Sequence, residues 1–208
     1  MKTKMIVGIL AIIAALIALL ITMPFAAAYF RAYGSGQVVP ALTKAFGRAY
    51  PNLLNFDRAA WVYQLYGRLY SLVIPLTIPA MLRLKEKIGI DTRRSLWGWR
   101  VFYWGVLMFG LGVFGDYWPN PNSYVVGAGF LLEIVGSLVI WVGAIIFGMA
   151  ALKGDAVPRW IGVGLVGIAP MGILGILLTG HIPAGPLLGY VMFWLVTGYS
   201  MLRSKDEK

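Results

Sequence analysis

The sequence contains no cysteine, a single histidine and few acidic residues: eight, against eighteen lysines and arginines. The lack of cysteine excludes disulfide bonds, thiolate zinc sites, cysteine-ligated iron–sulfur clusters and a cysteine nucleophile. With His181 as the single histidine, one chain cannot supply bis-histidine haem ligation or a histidine-rich metal site. We therefore expect neither a cofactor nor a metal.

Charged residues are also scarce: they make up 12% of the chain, whereas 60% of its residues are hydrophobic. An average soluble domain has roughly 25% charged residues. The hydrophobic residues form long, nearly charge-free stretches, which is typical of a polytopic membrane protein. Because many basic residues flank these stretches, the net charge of +10 predicts contact with membrane lipids and no nucleic-acid binding.

Six of these stretches approach the ~20 residues that a membrane-spanning α-helix requires. They cover residues 5–29, 60–82, 99–117, 124–151, 160–180 and 185–202. The first also resembles a signal peptide, but its apolar run is longer than the ~7–15 residues of a signal sequence. No intervening segment is long enough for a soluble domain. Residues 1–208 are therefore predicted to form one all-α domain, a six-transmembrane-helix bundle.

The charges of the connecting segments predict the orientation of this bundle. With the N-terminus inside, the inner segments include the basic "RLKEKIGIDTRRSLWGWR" and "KGDAVPR". The outer hairpins "GDYWPNPNSY" and "GHIPAGP" contain no lysine or arginine. This asymmetry follows the positive-inside rule. It predicts a multi-pass protein of the cell membrane with both termini in the cytoplasm.

The first outer loop, residues 30–59, departs from this pattern because it is basic. Its basic residues are Arg31, Lys44, Arg48 and Arg58. Apolar residues recur at helical spacing between Pro40 and Pro51, which predicts a short amphipathic helix over residues 41–50. This helix either lies on the outer leaflet or forms a lid over a cavity.

The second predicted span carries a polar stripe along one helix face, at spacings of three or four residues. Its members are Trp61, Gln64, Arg68, Ser71, Pro75 and Pro79. Since Arg68 is costly in hydrocarbon, the stripe should face the bundle interior. Each proline removes a helical hydrogen bond, so Pro75 and Pro79 predict a kink that serves packing or, alternatively, a hinge or substrate contact.

Glu133 lies in the fourth predicted span, on the same face as Gly129, Gly136 and Ser137. Small residues allow close helix packing, so Glu133 should face another helix. The helical rise places Arg68 about 12 Å and Glu133 about 14 Å from the outer boundary. We therefore predict a buried Arg68–Glu133 ion pair, with a protonated Glu133 as the alternative.

Further polar residues fall in the outer half of the same bundle. Asp116 shares a face with Gly105 and Gly112, and His181 follows the fifth span, although both positions are also typical of helix ends in water. The candidate site residues are Arg68, Glu133, Asp116, His181, Gln64, Tyr63 and Tyr66. Carboxylates with a histidine can perform acid–base chemistry, bind a cation or relay protons.

The last quarter of the chain carries three recognisable features: Pro158-Arg159-Trp160 before a glycine-rich span, His181-Ile182-Pro183 in a turn, and Gly198-Tyr199 ending the final span. In these features it resembles small uncharacterised bacterial membrane proteins. The resemblance implies no activity and no functional residue.

Three functions fit these residues. The leading hypothesis is an outward-facing polar cavity that binds or passes a small or lipid-like ligand. The second is a non-catalytic accessory subunit, whose partner is another membrane protein or a second copy of the chain. The third is an intramembrane enzyme that acts on a lipid-like substrate. A cavity of ligand size would favour the first, and a sealed Arg68–Glu133 contact the second.

Overall fold

The computed structural model describes residues 2–53, 59–89, 92–119 and 123–203, and this part of the chain contains helices and no strand. The α-helices are α1 (Lys2–Tyr33), α2 (Ala41–Ala49), α3 (Ala59–Ser71), α4 (Val73–Ile88), α5 (Arg93–Tyr117), α6 (Tyr124–Lys153), α7 (Arg159–Thr179) and α8 (Leu188–Arg203). A single 3-10 turn covers Pro51–Leu53. The predicted all-α class is confirmed.

Within the described residues, four helical segments are long and apolar enough to cross a membrane. They are Thr3–Tyr33, Ala60–Ile88, Tyr124–Lys153 and Arg159–Thr179. Large apolar side chains on these segments face outward: Leu20 is 75% exposed and Leu177 is 71% exposed. Such surfaces suit hydrocarbon and not water, as expected of a membrane protein. The other two predicted spans correspond to α5, which begins with two arginines, and α8, which has only 16 residues.

The second predicted span is divided into α3 and α4, which meet at Leu72. Pro75 lacks an N–H and leaves the carbonyl of Ser71 without its helical donor. The Leu72 amide donates to the Leu69 carbonyl at 3.2 Å, which is a tighter turn than that of an α-helix. The indole Nε1 of Trp118 donates to the Ser71 hydroxyl at 3.2 Å. A break is therefore present next to Pro75, where Trp118 packs onto it, whereas Pro79 lies within the continuous helix α4.

Helices α5 and α6 pack together along most of their lengths through glycines spaced seven residues apart. These are Gly98, Gly105 and Gly112 in α5, and Gly129, Gly136 and Gly143 in α6. A Cβ atom on Gly105 would lie 2.5 Å from the amide nitrogen of Ile140. The predicted close packing on the glycine face of Glu133 is thus confirmed, and the neighbour is α5.

The connection between α7 and α8 folds back alongside α7 instead of remaining at the end of the bundle. Residues 181–187 are buried with one half-buried exception. Gly175 contacts the Gly185 carbonyl, and the indole of Trp141 donates to the Pro186 carbonyl at 3.3 Å. Non-helical backbone at membrane depth is tolerated where protein covers it. Helix α8 therefore begins inside the bundle, three residues later than the predicted span.

The predicted amphipathic helix is present as α2, and it lies across the end of α7. The Thr43 hydroxyl donates to the Thr179 carbonyl at 3.0 Å, and Phe46 packs against the small buried cluster of Ala27, Ala28 and Val62. The basic side chains of α2 point away from this contact and are exposed. Arg58, the last cation of the predicted loop, lies outside the described residues.

Candidate functional site

A cavity of about 490 Å³ opens at the end of the bundle where α1, α5 and α7 end and α3 and α6 begin. Its described polar lining residues are Tyr29, Tyr33, Gln37, Tyr63, Gln64, Asp116, Tyr117 and His181. We call it the tyrosine cavity. Asp116 is the one Asp, Glu, Lys or Arg side chain among the described residues of this lining.

The space exists because of how the helices are paired around it. Helix α6 packs on α5 and α7, whereas α3 packs on α1 and α5, so α5 is the shared neighbour of α3 and α6. Gly127 of α6 lines the space, and a Cβ atom on it would have no neighbour within 4 Å. A larger side chain there would project into the cavity without a clash at its first atom.

A chain of hydrogen bonds runs through the cavity wall from the connection after α7, through α3, to α5. The Nε2 atom of His181 lies 3.2 Å from the Tyr63 hydroxyl, which lies 2.8 Å from the Tyr117 hydroxyl. Phe25 packs edge-on against the imidazole, with ring centroids 4.6 Å apart. The imidazole is therefore held between a phenol and a phenyl ring.

His181 is buried, with 1% of its surface exposed. Its backbone amide donates to the Thr179 hydroxyl at 3.2 Å, which fixes the start of the connection to α8. The Nδ1 atom has no hydrogen-bond partner within the described structure. Burial lowers the pKa of His181 to about 3, because the cation would lose its hydration. The imidazole is therefore neutral at pH 7.

The predicted Arg68–Glu133 ion pair is wrong. The guanidinium Nε of Arg68 donates to the Tyr117 carbonyl at 3.0 Å, and its Cζ atom lies 5.7 Å from the centre of the Trp118 ring. Neither carboxylate oxygen of Glu133 has a hydrogen-bond partner among the described residues. Arg68 and Glu133 were predicted at similar depths, but they do not meet, because α5 packs against both α3 and α6. Arg68 bonds to the Tyr117 carbonyl of α5, and Glu133 packs against Gly112 of α5.

Glu133 is fully buried at the α5–α6 contact, directly against Gly112. One helical turn further along α5, Asp116 packs near Gly129 and lines the tyrosine cavity. Glu133 thus lies behind the cavity wall and does not line it.

Four of the seven predicted site residues line the tyrosine cavity together: Tyr63, Gln64, Asp116 and His181. Arg68, Tyr66 and Glu133 are not among its lining residues. Sequence reasoning missed Tyr29 and Tyr33, which are spaced four residues apart on α1 and so share a face. Tyr117 is also absent from the candidate residues, although it lines the cavity; it is buried, with 1% of its surface exposed.

Comparisons with protein-family models, curated proteins and solved structures found no match to this chain.

Proposed function

We propose that the chain is a six-span protein of the cell membrane, with both termini in the cytoplasm and the tyrosine cavity facing outward. Helix α5 has 25 residues, which at 1.5 Å per residue is about 37 Å. The buried connection before α8 supplements its 16 residues. Basic residues concentrate at the end opposite the cavity, including Arg83, Arg94 and Lys153, as the positive-inside rule requires of a cytoplasmic face.

In this orientation the tyrosine cavity binds a small or lipid-like ligand. The observation that carries the proposal is the combination of the lining with a volume of about 490 Å³, which falls within the ~300–1,000 Å³ of small-molecule sites. The lining combines aromatic rings with a few convergent polar groups, which is the usual composition of such sites. The ligand enters from the outer side, where the five bordering segments leave the cavity open.

The two alternative functions have less support. A sealed Arg68–Glu133 contact would have favoured the accessory subunit, but Arg68 donates to the Tyr117 carbonyl and the Glu133 carboxyl has no hydrogen-bond partner among the described residues. Acid–base catalysis would favour a histidine paired with a carboxylate, whereas the Nε2 atom of His181 pairs with the phenol of Tyr63.

A cavity-filling substitution tests the proposal. Gly127→Phe places a ring in the tyrosine cavity, whereas Gly167→Phe on α7 is a matched control, because Gly167 also has open space around it and does not line the cavity. Each protein is extracted with its own membrane lipids in polymer discs, and the co-isolated small molecules and lipids are identified by mass spectrometry.

We expect a compound that is enriched with the wild type and with Gly167→Phe and is lost from Gly127→Phe. Identical profiles for all three proteins would contradict the proposed function.

A further inference from the structure

We propose that the ligand of the tyrosine cavity carries an alkylated ammonium group, which binds against the tyrosine rings with the Asp116 carboxylate as its counter-charge. This inference rests on the proposed function and adds the chemical class of the ligand.

The charge of the cavity wall is the first argument. The chain as a whole carries a net charge of +10, yet the described lining contains Asp116 and neither lysine nor arginine. His181 adds no positive charge, because its buried imidazole is neutral at pH 7. A cavity whose lining is negatively charged attracts a cation and disfavours an anionic ligand.

The aromatic wall is the second argument. The ring of Tyr63 lies 5.6 Å from that of Tyr29, 5.5 Å from that of Tyr33 and 5.4 Å from that of Tyr117, centre to centre. Tyr29, Tyr33 and Tyr63 thus form one aromatic cluster along the cavity, and the buried ring of Tyr117 packs behind Tyr63. Clusters of aromatic rings beside a carboxylate are the recurring environment of alkylated ammonium groups, through cation–π attraction.

The hydrogen bonds of the wall favour an alkylated over a primary ammonium group. The hydroxyls of Tyr63 and Tyr117 are bonded to each other, and Tyr63 also engages His181. These two hydroxyls are already partnered, so Asp116 supplies the one carboxylate acceptor of the described lining for the three N–H donors of a primary ammonium. An alkylated ammonium group has few or no N–H donors, so it is satisfied by ring surface and one nearby carboxylate.

The same chemistry occurs in two sources, a free alkylammonium compound and the headgroup of a choline lipid. Choline serves as the probe for the group itself, and 3,3-dimethylbutan-1-ol, which has carbon in place of the nitrogen, is its neutral isostere. Dihexanoyl phosphatidylcholine is the probe for the lipid source. Binding is measured by isothermal titration calorimetry on the full-length protein in maltoside detergent.

We expect choline to bind at least tenfold more tightly than the neutral isostere. Asp116→Asn should weaken choline binding about tenfold, whereas Asp155→Asn, an exposed carboxylate outside the cavity, should leave it unchanged. Tyr33→Leu should weaken it about 2- to 30-fold, the range of one cation–π contact. Tyr33 is 45% exposed, so this second variant leaves the core intact.

The lipid probe separates the two sources. Tighter binding of the short-chain phosphatidylcholine than of choline, by tenfold or more, would assign the ammonium group to a lipid headgroup. Equal or weaker binding would assign it to a free compound. Either result supports the alkylated ammonium class when choline also binds more tightly than its neutral isostere.

Equal affinity for choline and its isostere, with both lost in Gly127→Phe, would overturn the ammonium inference and leave the proposed function standing. If neither choline nor the choline lipid binds, the ammonium inference is also overturned. If, in addition, mass spectrometry finds no compound that depends on Gly127, the proposed function fails as well.

Discussion

At the residue scale, Glu133 combines complete burial with a carboxyl group whose oxygens have no hydrogen-bond partner in the described part of the chain. A buried polar group without a partner costs ~1–3 kcal/mol. Replacement by an apolar side chain of similar length removes that cost. The group is thus a source of instability within the glycine-lined contact of α5 and α6.

We expect Glu133→Met to raise the free energy of unfolding by about 1–3 kcal/mol, because the desolvated carboxyl is removed. The measurement is chemical unfolding in detergent. The control is Glu86→Met at an exposed position, where a change within ~0.5 kcal/mol is expected. Strong destabilisation by Glu133→Met would show that the carboxyl has a stabilising partner, such as a bound cation.

His181 gives a pH dependence at the same scale. Its pKa is about 3 in the folded protein against an ordinary 6.5, so between these values the unfolded chain binds a proton that the folded protein does not. Its contribution to stability is therefore complete above pH 6.5 and is lost as the pH falls toward 3, by up to ~1.4 kcal/mol per pH unit. Unfolding measured from pH 7.5 to 4.5 should decline more steeply for the wild type than for His181→Leu. Parallel curves would contradict a neutral, buried imidazole.

At the element scale, the seven-residue glycine spacing of α5 and α6 determines how closely these helices pack. We expect Gly105→Ala to lower the free energy of unfolding by ~1–3 kcal/mol, because its Cβ would meet the Ile140 amide nitrogen at 2.5 Å. Gly167→Ala, with open space around it, should be neutral or stabilising by up to ~1 kcal/mol through helix propensity. Equal effects of the two substitutions would contradict a glycine-dependent α5–α6 contact.

Helix positions could largely be predicted from the sequence, because long apolar runs bounded by proline and glycine leave few alternatives. The start of α5 at Arg93 was not predicted, because the basic residues of its first turn do not fit the apolar pattern of a membrane span. Thr92 and Ser95 form a capping box at this helix start. The late start of α8 was missed because no local signal shows that residues 181–187 pack back onto α7. Depth along single helices also could not show that α5 contacts both Arg68 and Glu133.

The cavity residues also divide into those that the sequence predicts and those that only the tertiary structure shows. Tyr63, Gln64, Asp116 and His181 could be predicted from polarity at one end of the bundle. Tyr29, Tyr33 and Tyr117 could not, because interfacial and cavity tyrosines have the same sequence pattern and differ only in tertiary packing.

At the scale of the whole molecule, the proposed orientation places the loop before α5 in the cytoplasm and the start of α6 outside. The chain is free of cysteine, so single cysteines report their own positions. In intact cells an impermeant thiol reagent should label Tyr124→Cys, which replaces a fully exposed side chain, and should not label Arg94→Cys. Labelling of both after the membrane is permeabilised is the control. The reverse pattern would contradict the orientation.

The central claim is that the tyrosine cavity holds a ligand in the membrane. The most direct test is a density map of the protein extracted in polymer discs with its own lipids. We expect continuous non-protein density in the cavity of about 490 Å³, in contact with Tyr63 and Asp116. A cavity that is closed by its own side chains, or filled by water alone, would contradict the account.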